Sequence, residues 1–172
     1  YGLDRWQYVI SQASKLTVQQ NAGSVTPPVG FSNYMGFTST SAYSVGTTEY
    51  FYFQQQVEGY NIADLAWGTA SAAAVTLSFR VYSSLTGTFG GSLQNNAKTR
   101  SYPFTYTVSS ANTWTTVNIT IAGDTTGTWL TTNGVGVSVI FGLGIGLTSL
   151  IGTAGAWAAA DYRSATGATS VV

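Results

Sequence analysis

Residues 75–82 read Val-Thr-Leu-Ser-Phe-Arg-Val-Tyr. In an extended chain Val75, Leu77, Phe79 and Val81 point one way, and Thr76, Ser78, Arg80 and Tyr82 the other. A period of two marks a strand with one face on a core and one in water. A helix would scatter the same apolar residues around its circumference. The pattern recurs downstream. Trp114–Ile121 sets Thr115, Val117, Ile119 and Ile121 on one face, and Gly134–Phe141 does the same with Val135, Val137, Val139 and Phe141.

Working outward, Asp4–Ile10, Lys15–Gln20 and Tyr34–Thr40 are further short strands, and Asn21–Gly30, with Pro27 and Pro28, is a loop. Glu49–Glu58 carries aromatics on both faces, which suggests one face on the core and one against something else. Ser101–Val108 contains Pro103, which cannot donate to a ladder, so it belongs at a sheet edge or a strand start. Phe89-Gly90-Gly91-Ser92 resembles a turn, and Asp64–Ala74 holds at most one helical turn. Eight or nine short strands with Gly, Asn and Ser turns predict an all-β antiparallel β-sandwich, one domain over residues 1–172. Its expected core includes Val75, Leu77, Phe79, Val81, Val117, Ile119, Val137 and Val139.

Composition removes much of the chemical vocabulary. Cysteine and histidine are both absent. Disulfides, thiolate metal sites, histidine triads and the usual neutral-pH general base go with them. Charged residues make up 7% of the chain, six basic and six acidic, against about 25% in ordinary soluble domains. Four Arg and two Lys, dispersed, form no basic patch for nucleic acid. The 26 Thr, 19 Ser and 20 Gly take the place of charge. So little charge suits a surface kept soluble by hydroxyls or one largely covered by neighbouring chains.

Val135–Ile151 is nearly all apolar, and no charge falls between Asp124 and Asp161. Its glycines and its strand periodicity argue against a membrane helix and so against membrane insertion. Leu143, Ile145, Leu147, Leu150 and Ile151 are read instead as an apolar edge that another subunit covers, the expected oligomer interface, the alternative being a buried strand and Gly-rich loop folded back over the chain's own sandwich.

Six acids exist: Asp4, Glu49, Glu58, Asp64, Asp124 and Asp161. Glu58 and Asp64 are the closest to a glycosidase pair, but a strand end and a turn cap explain them as well. Gly142–Leu147 lacks dinucleotide spacing. Asp124, loop carbonyls and Asn133 could contribute to a calcium site, but the six to eight oxygens calcium wants do not assemble from the sequence, and Asn118-Ile119-Thr120 is a glycosylation sequon in mid-strand. No cofactor, no metal and no catalytic residue is expected. Sugars lie flat on aromatic rings, so Trp67, Trp129, Trp157, Tyr60 and Tyr162, at loops and element ends, are the candidate glycan contacts. The competing expectation is that loop tryptophans plug the sandwich ends.

Asp4-Arg5-Trp6, Gln54–Gly68, Val75–Phe79, Ser83–Phe89, Arg100–Phe104, Gly123–Trp129 and Gly152–Tyr162 occur in an order that resembles the jelly-roll domain of bacteriophage tail-fibre and minor virion proteins. The resemblance implies a jelly roll like that of carbohydrate-binding modules, without catalytic residues. It implies a homo-oligomer within the virion, three-fold symmetry favoured, with host-surface glycan as a further partner. The family continues past the point matching Val172 into another apolar strand, so a trimmed chain or a neighbour completing the sheet is expected. The alternative is a carbohydrate-binding module of a secreted polysaccharide-degrading enzyme.

Overall fold

A computed structural model describes residues 5–172. The main strands are β1 (Trp6–Ile10), β2 (Leu16–Gln20), β3 (Met35–Ser39), β4 (Tyr50–Glu58), β5 (Val75–Val81), β6 (Gly87–Asn95), β7 (Ser101–Val108), β8 (Thr115–Ile121) and β9 (Val135–Ile145). The short β10 (Ile151–Gly152) and β11 (Ser164–Ala165) follow. Asp4 lies outside the described residues.

One sheet has five antiparallel strands in the order β1-β4-β9-β6-β7. Two ribbons, β2–β3 and β5–β8, form the facing layer. The pairs β4·β9, β5·β8 and β6·β7 nest inside one another, which is the winding of a jelly roll. The protein is an all-β antiparallel sandwich.

The core lies between the layers in two clusters. The larger joins Leu93, Tyr102, Phe104, Val137 and Phe141 of the sheet to Ile121 and the half-buried Val75, Leu77, Phe79 and Ile119 of the ribbon. Phe141 sits at its centre, stacked on Phe53 at 5.0 Å and edge-on to Phe79 at 4.9 Å. The smaller joins Leu16, Phe51 and Leu143 under β2–β3. Among the expected core residues only Val137 is fully buried. Val75, Leu77, Phe79, Val81, Val117, Ile119 and Val139 point inward but remain half-buried. A two-stranded ribbon has no flanking strands to close over its rims.

Pro103 sits on β7, an edge of the sheet, as its missing N–H requires. Phe89–Ser92 is not a turn but the middle of β6. Its glycines are there because other chain comes close. A Cβ on Gly90 would meet Ser164 Oγ at 2.5 Å, and one on Gly142 would meet the same oxygen at 2.7 Å.

That neighbour is the C-terminal segment 151–172, which straps the sheet's far face. Ala158 bridges to Ser101, Gly155 N–H donates to the Pro103 carbonyl, Thr169 N–H to Thr88 and Val171 N–H to Leu143. The strap explains the two-sided aromaticity of β4. Tyr50 and Tyr52 face it, with the Arg163 guanidinium over their rings.

The strap also covers part of the expected oligomer interface. Leu143 and Leu150 are buried within the chain itself, and Ile145, Leu147 and Ile151 are half-buried. Leu143 packs on Leu16 and Phe51, with Val171 and Val172 against the same cluster. The run is therefore the end of β9, a 3-10 turn (Thr148–Leu150) and the start of β10, with Leu143 and Leu150 buried within the chain. The helical content expected near Asp64 is a single 3-10 turn, Ala63–Leu65. Among the described residues no helix is long and apolar enough to cross a membrane.

Candidate functional site

Three places gather side chains of interest. The first is one end of the sandwich, where Trp67, Trp129 and Trp157 meet edge to face at 4.7, 5.4 and 5.3 Å. Every indole N–H is used: Trp67 donates to Ala73 O, Trp157 to Ala122 O, and Trp129 to Asp124 Oδ2 and Thr126 O. Trp67 and Trp129 are 7% exposed. These two rings plug the core end and offer no face to a sugar. Trp157 is half-buried in the same trio and packs on Tyr102.

Below the trio, Arg100 binds Asp124 through two hydrogen bonds, Nε at 2.7 Å and Nη2 at 2.6 Å. The Asp124 side chain is 2% exposed. Burial alone would raise its pKa, but Arg100, the Thr126 N–H and the Trp129 indole outweigh that and hold it below the ordinary value. Asn95, also buried, ties this loop to the β6–β7 turn. It accepts from the Thr99 and Arg100 N–H groups and donates to Thr128 O. Asp124 is thus committed to a structural ion pair and not free for calcium. Among the described residues no group of three His, Cys, Asp or Glu could hold a metal.

The second place is the strap's polar anchor. Asp161 accepts from Gln94 at 2.6 Å and from two nitrogens of Arg163 at 3.1 and 2.9 Å. Arg163 also donates to the Tyr52 hydroxyl at 2.8 Å. Burial pushes the Tyr52 phenol up. Sequence reading missed this cluster; its one visible signal was a pair of tyrosines on the wrong face of β4. Tyr162 packs over Gly152 in the same segment and is half-buried.

The third place is open. A shallow groove of about 150 Å³ runs beside the bulged end of the β4–β9 pair, lined by Gln56, Val57, Glu58, Asn133, Gly134 and Val135. The next turn, Gly59–Asn61, is held against its rim by Gly59 N–H to Gly134 O and Tyr60 N–H to Thr132 O. Tyr60 is 64% exposed. The residues lining the groove include a carboxylate and two amides, and the exposed Tyr60 stands in the adjoining turn. That set can stack on a sugar face and hydrogen-bond its hydroxyls. Of the five aromatic candidates, Tyr60 alone is widely exposed. Gln56 had no signal in the sequence, and Asn133 pointed only to calcium; the fold places both on the groove.

Glu49 accepts from the Tyr43 hydroxyl at 2.6 Å and the Gly46 N–H at 2.7 Å, while Asp64 lies exposed in the Ala63–Leu65 turn. These hydrogen bonds, Tyr43's first, lower its pKa. Comparison of the chain with protein-family models, with curated proteins and with solved structures finds no match.

Proposed function

We propose that this chain is a non-enzymatic structural protein of a bacteriophage virion, a tail-fibre or surface-appendage subunit that works in an assembly and touches host-surface glycan. The observation that carries the reading is where the acids go. Asp124 holds Arg100, Asp161 holds Arg163 and Gln94, and Glu49 closes its own loop. Three of the five described carboxylates are thus committed to ion pairs and loop closure, as in a scaffold, and only Glu58, on the groove, and Asp64 stay exposed, where a hydrolase would need two facing a cleft. The jelly-roll winding and the surface of hydroxyls in place of charge agree with a subunit that packs among others. Neither nucleic acid nor a membrane is a partner in this reading.

The glycan contact belongs to the groove beside Tyr60, not to the tryptophan trio. The same groove favours the second reading, a carbohydrate-binding module of a polysaccharide-degrading enzyme. Two measurements separate them. Antibodies against the chain should decorate intact particles under the electron microscope; undecorated particles contradict the virion reading. Titration with host-surface polysaccharide should perturb the Tyr60 signal without releasing reducing ends. Turnover lost in Glu58→Gln would overturn the non-enzymatic reading.

A further inference from the structure

The second layer of the sandwich is narrower than the first. Five strands lie opposite two separate ribbons, and β5 and β8 each pair on one side only. Among the described residues no other backbone hydrogen bond reaches either strand. The two free edges differ. β5 carries the exposed Arg80, whose guanidinium lies over Phe31 of the 25–34 loop at 5.9 Å, and the same loop accepts the Trp114 indole N–H on Thr26 O just before β8. β8 is Thr-Thr-Val-Asn-Ile-Thr-Ile, seven residues without a charge or a proline, all β-branched except Asn118. Edge strands are normally protected by lysine, proline, bulges or cover, and β8 has none of the first three.

We propose that β8 is the contact between copies: two chains pair antiparallel through this edge, about a two-fold axis at Asn118. This rests on the assembly reading above and gives it a surface. The sequence is self-complementary in that register. Asn118 meets its own counterpart, Val117 meets the second copy's Ile119, Thr116 the second copy's Thr120 and Thr115 the second copy's Ile121. Each strand keeps its faces, since a slip by one residue would turn every apolar side chain outward. The result is a continuous four-stranded layer, with the half-buried Val117 and Ile119 of both copies side by side over one core. An isologous contact of this kind closes at two chains, in place of the three that the family resemblance implies.

Light scattering at micromolar concentration reads the assembly directly. The wild-type chain should weigh twice 18.1 kDa. Thr116 and Thr120 are exposed and outward, so a Thr116→Lys/Thr120→Lys chain should fold yet place lysine against lysine and raise the dissociation constant roughly tenfold or more. Thr116→Glu/Thr120→Glu should do the same, and an equal mixture of the two should restore the dimer. Thr76→Lys/Ser78→Lys, on the β5 side, should leave it intact. A second variant is independent of charge. The chain has no cysteine, and a two-fold axis at residue 118 brings the two copies within disulfide reach. Asn118→Cys should therefore cross-link to a dimer on a non-reducing gel, and Thr125→Cys should not. A monomeric wild type, or an oligomer indifferent to the lysine pair and uncross-linked by Asn118→Cys, overturns the proposal. In the latter case the assembly reading stands with another surface; undecorated particles alongside a cross-linked dimer would instead remove the virion reading and leave the β8 contact.

Discussion

β8 and β9 lie in the same sandwich but are buried in opposite ways. β9 is eleven residues, most of them fully buried, with β4 and β6 on its sides, the core on one face and the strap on the other. β8 has one neighbour, one half-covered face and one wet face. The difference shows in the residues each strand tolerates. β8 alternates strictly, because water sorts its side chains. β9 ends in Phe-Gly-Leu-Gly-Ile, because the strap lies too close to its far face for a side chain at Gly142. Alternating glycine there is a mark of close approach, as in β6, and says nothing of a turn.

The comparison can be broken hardest at the ion pair that anchors the trio end. Arg100→Ala leaves the Asp124 carboxylate buried without its partner, at an expected cost of about 3–5 kcal/mol. Urea unfolding at neutral pH measures it. Phe141→Ala, at the centre of the core, should cost about 3–5 kcal/mol. Phe79→Ala, on the half-open ribbon, should cost nearer about 1.5–3 kcal/mol. Equal losses at both positions would erase the asymmetry between the layers. Gly142→Val pushes on Ser164 and should cost about 1–3 kcal/mol. Limited proteolysis should then cut the lifted strap, with β8 unaffected.

Acid offers a milder test. The folded-state pKa values of Asp124 and Glu49 lie below their ordinary values. Their contribution is fully present above the unfolded pKa, near about 4, and is lost as pH falls through the folded value. The urea midpoint should therefore drop as pH falls below about 4, and less steeply in Asp124→Asn. Tyr60→Ala should be the quietest change, within about 0.5 kcal/mol in stability, while glycan contact at the groove is lost.

The sandwich was legible where water touches one face of a strand. Val75–Tyr82 and Trp114–Ile121 announced their faces, and Pro103 announced an edge. Burial depth was not legible, because alternation says which way Phe79 points and not how wide the facing layer is. The glycine-rich end of β9 and the middle of β6 were misread for a different reason. Their second cover comes from residues more than twenty positions away, and close packing against it replaces alternation with glycine. The tryptophan trio was visible as aromatics at loop ends, but plug and platform differ only in whether the neighbouring loop closes over the ring. The Asp161–Arg163–Tyr52 anchor depends on the strap's path, which no local pattern encodes.

Native-state hydrogen exchange, residue by residue and on dilute protein, tests the contrast between the layers most directly. β9 amides should be the slowest in the molecule and nearly uniform. β8 amides should alternate, those bonded to β5 protected and those on the free edge exchanging fast, with the fast set becoming protected as concentration rises. Uniform protection along β8 in dilute protein, equal to that of β9, would contradict an open second layer.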